Sequence, residues 1–305
     1  MNFFMLRLLT FLLLCSLAHA DGFDSLRAVV SKAVAKGNPP GAVLWFESGD
    51  KKMTMVEGQR ALVPAKEPMS EDTVFDAASL TKVVATLPSV LILMEQGKIE
   101  LEAEARRYLP EFRSGITVRH LLTHTSGLKA GIPKEPEWKG YTAGIERAIA
   151  SESEGPPDRF FRYSDINFIL LGEIVRRVSG MGLNEFAAKH VFAPLHMDST
   201  RFLPPEDWRP RIAPTEKDEN GVMLRGVVHD PTSRKMGGVT GHAGLFTTAG
   251  DLAKYARMIL AGGAGILKPE TVKLMTAPQT IATVFERRGL GWDIDSTFRD
   301  RKSVV

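Results

Sequence analysis

The clearest amphipathic pattern in the chain follows Ser79, where Leu80, Val83, Val84, Leu87, Val90, Leu91 and Met94 recur at intervals of three and four. That spacing lines one face of a helix, with Gly97 as its stop and Pro88 expected to kink its middle. Similar spacing predicts helices over 23–35, 117–126, 145–150, 165–178, 184–191, 251–260 and 269–275. Gly262-Gly263 ends one of these, and Pro269 opens the last at a position where a missing N–H costs little. Alternating residues predict short strands over 42–46 and 53–57, joined by a turn at Ser48-Gly49-Asp50-Lys51, and a late strand over 289–294. Strands, then helices, then strands again point to an α/β (α+β) fold within one domain over 21–305. Its α/β part covers 21–78 and about 240–305, and its mainly helical part about 79–239. Ser151 to Pro157 reads as a surface loop inside that domain.

The first twenty residues follow a different logic. Arg7 precedes an apolar run from Leu8 to Leu17, and Ala18-His19-Ala20 has the small-x-small form of a cleavage site. This is the pattern of a secretory signal, too short to span a bilayer, so the expected product is exported, periplasmic or secreted, and begins near Asp21. Cys15 is the only cysteine and falls in that leader, which leaves the mature chain without a disulfide or a thiol nucleophile. About 285 residues are enough to bury a core without disulfides. The formal charge of +3 is spread along the chain rather than clustered, which argues against nucleic acid as a partner.

Candidate chemistry centres on Ser79-Leu80-Thr81-Lys82. A serine becomes a competent nucleophile when a base lies within hydrogen-bond reach, and a lysine three residues on, one helical turn away, meets that need. The same spacing occurs at Ser48-Gly49-Asp50-Lys51, in the predicted hairpin turn. It occurs again at Ser126-Gly127-Leu128-Lys129, where Gly127 is expected to end the preceding helix in a left-handed cap. Ser79 alone precedes an uninterrupted helical pattern, in whose first turn the dipole favours developing negative charge. Tyr163-Ser164-Asp165 supplies a proton-handling partner. Among the four tyrosines, only Tyr163 has an Asn or Asp two residues later, and it directly precedes a predicted helix.

These residues resemble the serine β-lactamase and penicillin-binding-protein superfamily, in particular its class C-like branch with DD-peptidases and esterases. Phe75 to Lys82 is similar to that branch's nucleophile segment, and Tyr163-Ser164-Asp165 to its Tyr-x-Asn segment. Further similar blocks are Thr117 to Leu128, Pro194 to Thr200 and Gly241 to Ala249. The resemblance implies an antiparallel sheet flanked by helices and a helical subdomain. It also implies Ser79 as the acylated nucleophile, with Lys82 and Tyr163 sharing acid and base work. Asp165 stands where many relatives have Asn, so it is expected to pair with Lys82, favour its charged form and move more of the base role to Tyr163.

The family's third motif, Lys or His, then Thr or Ser, then Gly, is expected on a strand after a Gly-Leu-Gly-Trp-like segment. Gly289-Leu290-Gly291-Trp292 is present, but no such triplet follows it. The resemblance therefore implies a chain lacking its final sheet strands and terminal helix. In the family a backbone N–H of that strand helps to bind the oxyanion, and losing one such donor costs about 2.7 to 4 kcal/mol. His242-Ala243-Gly244 has the His-x-Gly form but matches an earlier block, and His242, with Asp165, is retained as a supporting or substrate-binding candidate.

Of the other polar groups, His120 and His124 have metal-ligand spacing, yet no Glu follows His120 as a zinc-protease motif requires. Helix packing and capping is the expectation there, with no metal and no cofactor assigned. His229-Asp230 is expected to form a local pair, Trp45 and Trp292 to pack in the core, and Gly237-Gly238 to bind no nucleotide, because no Lys-Ser/Thr follows. The function the resemblance implies is an exported serine hydrolase that cleaves a D-Ala-D-Ala-type amide, a small ester or a β-lactam through an acyl-enzyme on Ser79, its partner being a small-molecule or peptidoglycan-derived substrate. The alternatives are a catalytically impaired binder of cell wall or penicillin and a metal-dependent hydrolase using His120 and His124.

Overall fold

The structure is a computed structural model, and it describes residues 23–295. The leader expected at 1–20 and the end of the chain at 296–305 lie outside the described residues. Helix α1 covers 23–35, as its periodicity predicts. Strands β1 (Gly41–Ser48) and β2 (Lys51–Ala61) form a hairpin in which Ser48 pairs with Lys51 around Gly49-Asp50, and Gly49 supplies the positive φ that the turn needs. Both strands run longer than their alternation suggested, because pairing carries them past the half-buried stretch.

The expected antiparallel sheet is divided into three small ones. Strand β2 continues to β3 (Glu67–Pro68), β4 (Phe75–Asp76) and β5 (Arg201–Phe202) flank β6 (Leu245–Thr247), and β7 (Arg287–Arg288) pairs with β8 (Asp293–Asp295). Of the late strand expected over 289–294, only 293–294 are strand, in β8, and 289–292 form the turn between β7 and β8. Gly291 has φ +75° there and lies against Val83, Leu87 and Phe168, a conformation and a closeness that a strand residue could not combine.

Helix α2 begins at residue 80, so Ser79 sits in the turn just ahead of it, and its first part, Lys82–Thr86, is wound as a π-helix before Leu87–Glu95 becomes regular. The predicted irregularity is therefore present, but it precedes Pro88. Leu87 N–H reaches back to Lys82 O, and the Val83 carbonyl, which α winding would give to Leu87, is taken by the Tyr255 hydroxyl. Helix α3 (Val118–Thr123) is ended by His124 in the left-handed conformation at φ +60°, three residues before the glycine expected to cap it. Helices α4 (Tyr141–Ile149), α5 (Asp165–Ser179), α6 (Leu183–Ala187), α7 (Pro231–Lys235), α8 (Ala249–Leu260) and α9 (Pro269–Thr276) complete the order. Leu87, Leu91, Leu121, Leu122, Phe168 and Ile169 pack between α2, α3 and α5 as the centre of the core.

A polar network fixes α3 against the loop that leads to Tyr163. Arg119 and His120 both reach Asp158, at 2.8 and 3.0 Å, and the Thr125 hydroxyl donates to the same carboxylate. Burial pushes the Asp158 carboxyl up, but the Arg119 hydrogen bond, the His120 charge and the Thr125 hydroxyl hold it at about 2. A folded value below the ordinary one stabilises the fold above the unfolded value, and that contribution is lost as pH falls through the folded value. Asp158 has a φ of +61°, which Asn tolerates, so Asp158→Asn isolates the charge. The substitution should cost about 2 kcal/mol in urea denaturation at pH 7. The gap should narrow below pH 4 and close near pH 2; a gap independent of pH would refute the charge account.

Candidate active site

The nucleophile turn is built from paired strands and a carboxylate. Ala77 N–H donates to Leu245 O, and the Thr81 hydroxyl donates to Ala78 O while accepting from Leu245 N–H, which ties the start of α2 to β6. Asp76 accepts from Ala78 N–H at 2.8 Å and from His229 N–H at 2.7 Å. Between these anchors Ala78 is held at φ +45°, a strained conformation for a residue with a Cβ, and it presents Ser79 at the end of α2.

Lys82 is 3% exposed, and its Nζ meets three acceptors: Asp165 Oδ1 at 2.7 Å, His242 O at 3.1 Å and Ser79 Oγ at 3.2 Å. An ammonium has three hydrogens, and this geometry uses all of them. The pairing with Asp165 expected from the sequence is present. Lys82 Nζ also lies 4.9 Å from the centre of the Tyr163 ring, so the three residues of the expected constellation come together.

Tyr163 is carried by a rigid turn. Arg162 N–H donates to His124 O, the Ser164 hydroxyl to Lys129 O, and Asp165 N–H to Ala130 O. His124 stacks on the Tyr163 ring with centroids 4.6 Å apart, and its Nδ1 accepts from Ser164 N–H and faces Asn167. His120 instead turns to Asp158 and accepts from Thr117 N–H. The two imidazoles thus serve separate networks, because the left-handed residue at 124 breaks the helical register that would have aligned them.

The local pair expected between His229 and Asp230 does not form. His229 Nε2 faces Glu216 at 3.1 Å, whereas Asp230 caps α7 by accepting from Ser233 N–H and meets His242 Nε2 at 2.9 Å. Capping turns the Asp230 side chain inward, away from its neighbour in sequence. Burial pushes the Asp230 carboxyl up, but the hydrogen bond and charge of His242, the Ser233 N–H and the Lys82 charge hold it at about 2. Asp165, Asp230 and His242 bring ligand atoms within 4.8 Å of one another, yet Lys82 already supplies the cation of this group. Asp230 is the site residue that sequence reasoning missed, although the Asp-Pro start of α7 is a readable capping signal for it. His124, expected only to pack or cap a helix, does cap α3 and in addition backs Tyr163.

His242 is placed by the backbone on either side of it. The Thr86 hydroxyl donates to Gly241 O at 2.7 Å, and a Cβ on Gly241 would run into Phe168 O of α5. A Cβ on Gly244 would meet Gly238 O. Trp45, expected in the core, is half-buried, with its Nε1 donating to Glu47 at 2.6 Å, and Trp292 packs partly against the core.

The Beta-lactamase family model matches residues 26–300. A protein of Escherichia coli (strain K12), named provisionally as a D-alanyl-D-alanine carboxypeptidase, is 30% identical over 267 residues, covering 73% of this chain and 59% of that protein. The N-acetylmuramyl-L-alanine amidase of Bacillus subtilis (strain 168) is 32% identical over 265 residues, covering 75% of this chain and 59% of the amidase. The chain thus spans less than two thirds of the length of these curated relatives. Among solved structures, the octameric penicillin-binding protein homologue of Pyrococcus abyssi superposes with a TM-score of 0.70 at 23% identity, covering 88% of this chain and 64% of that one. EstCE1, a hydrolase with promiscuous acyltransferase activity, gives 0.72 at 22% identity over 90% and 83% of the two chains. These likenesses establish the fold.

The close approach at Gly241 yields a test of the site's framework. Gly241→Ala must part α5 from the 240–244 segment, and it should cost about 3 kcal/mol in urea denaturation. A cost below about 1 kcal/mol would mean that the approach is not held tightly.

Proposed function

The chain belongs to the beta-lactamase family, and from that premise we propose that it is an exported serine hydrolase acting through an acyl-enzyme on Ser79. The observation that carries this reading is the contact of Lys82 Nζ with Ser79 Oγ, made while the same ammonium is held by Asp165 and the His242 carbonyl. With its three hydrogens engaged, Lys82 orients Ser79 and supplies positive charge, and proton abstraction falls to Tyr163.

In the first step the Ser79 Oγ–H proton passes to Tyr163, acting as its phenolate, as Oγ bonds to the substrate carbonyl carbon. The Ser79 backbone N–H, beside the start of α2, is an oxyanion donor. Collapse of the tetrahedral intermediate breaks the bond to the leaving amine or alcohol, which takes the proton from Tyr163. Water then attacks the ester, giving a proton to Tyr163, and as the second tetrahedral intermediate collapses Tyr163 returns that proton to Ser79 Oγ and the acid departs. The substrate class is a D-Ala-D-Ala-type amide, a small ester or a β-lactam. The names of the two curated relatives, both amide-cleaving, favour the amide.

Labelling with a fluorescent penicillin and a fluorophosphonate tests the nucleophile. Ser79→Ala should lose at least about a hundredfold in labelling rate, and a chelator should change nothing. Equal labelling of Ser79→Ala would sink the assignment. Asp165→Asn removes the negative charge that meets the Lys82 ammonium, and with it an attraction for protons around Ser79. The two limbs of the pH–rate profile should therefore move to lower pH by about one unit. An unmoved profile would show that Asp165 does not tune the base.

A further inference from the structure

Lys82 has a second carboxylate beside it that the proposed reaction does not use. Asp230 lies at the head of α7, its carboxylate within 4.8 Å of those ligand atoms of Asp165 and His242 that face it. Its Oδ1 takes both the Ser233 N–H at 2.7 Å and His242 Nε2 at 2.9 Å. A carboxylate only accepts, so Nε2 carries the hydrogen of that bond. His242 is 1% exposed, and its Nδ1 lies 2.9 Å from the Thr240 hydroxyl, which also reaches Ala243 O. One residue therefore does two things: the ring of His242 holds Asp230, and its carbonyl holds Lys82. The glycines at 241 and 244, each backed against another chain segment, leave this stretch little room to shift.

We propose that Asp230, held by His242, is a positioning residue for Lys82, and that together with Asp165 it keeps the ammonium charged and aimed at Ser79. The proposal rests on the acyl-transfer reading and deepens it by naming what sets the pH range in which Ser79 reacts. The charged and titratable groups around Asp230 are Lys82 from α2, Asp165 and Tyr163 from the start of α5, His242 from the segment before β6, and Asp76 from β4. The His229 side chain is turned out to Glu216, and Arg288 faces Tyr163 from the β7 side. Two carboxylates so close together repel one another, and the ammonium bound to Asp165 relieves that repulsion. Removing either negative charge makes the surroundings of Ser79 less favourable to bound protons.

Asp230→Asn keeps size and hydrogen-bonding capacity while removing the charge. The rate of Ser79 labelling by fluorescent penicillin should fall about tenfold at its optimum, and both limbs of the profile should move to lower pH by about one unit. A purely structural role would lower the rate at every pH and leave the limbs in place. The state of Lys82 is read separately by NMR titration of lysine labelled with 13C at Cε, in Ser79→Ala and in Ser79→Ala/Asp230→Asn, where the double variant should titrate about one unit lower. This measurement needs no turnover. If the parent protein is not labelled, the acyl-transfer reading fails while the NMR result still decides this one. Superimposable profiles and identical lysine titrations would overturn the proposal. Should Asp230→Asn not fold, His242→Gln, which releases the Asp230 carboxylate from its hold, should slow labelling severalfold and move both limbs to lower pH, and a parental rate or unmoved limbs would count equally against the proposal.

Discussion

A buried ammonium organises this molecule. Lys82 is almost fully shielded from water, and removing an ion of that size from solvent costs several kcal/mol unless its hydrogens and its charge are met. Three acceptors meet the hydrogens, and one of them, the Asp165 carboxylate, answers the charge. None of these partners is near Lys82 in sequence except Ser79, so their convergence depends on the tertiary fold. Any arrangement that failed to bring α2, α5 and the 240–244 segment together would leave an uncompensated charge in the core.

The packing around the ammonium follows from that requirement. Phe168 of α5 sits between Gly241 and Gly291, and its ring faces both Lys82 and His124, so one side chain spaces the elements that carry the polar groups. The π-wound start of α2 gives the Val83 carbonyl to Tyr255 of α8 and lets Thr86 hold Gly241. Widening the helix at this point costs some regularity, which is offset by bonds to two distant segments. The strained φ at Ala78 belongs to the same region and is held by Asp76 and β6. Irregular backbone thus clusters where the reactive groups must be aimed, as expected when strain is retained for function.

The polar surroundings also separate two roles that a bare Ser-Lys pair would leave to one residue. A lysine that donates to a carboxylate and a carbonyl oxygen besides the serine is held as an orienting group. In the proposed acyl transfer, proton movement then falls to Tyr163, which is backed by His124 and anchored through its flanking residues. The Arg119–Asp158–His120 network stabilises the loop behind that tyrosine without touching Ser79.

Local pattern in the sequence determined most of the helices and the β1–β2 hairpin and marked Ser79 and Lys82 as a candidate pair, with Tyr163 beside the start of another helix, because helical periodicity, a Gly-Asp turn and spacing along one helix are properties of neighbouring residues. The pairing of Lys82 with Asp165 was also legible, since opposite charges on two motifs of one site are drawn together. Other features were decided only by tertiary contacts. Asp230 pairs with His242 rather than His229 because capping α7 turns it inward, and His124 ends α3 and stacks on Tyr163 because that loop returns across it. The turn at 289–292, the π-winding ahead of Pro88 and the division of the sheet likewise answer to partners more than a hundred residues away in the chain or to close backbone approach. Sequence shows which residues can do chemistry; burial and long-range packing decide which of them meet, because the cost of a buried charge is settled only when every partner is in place.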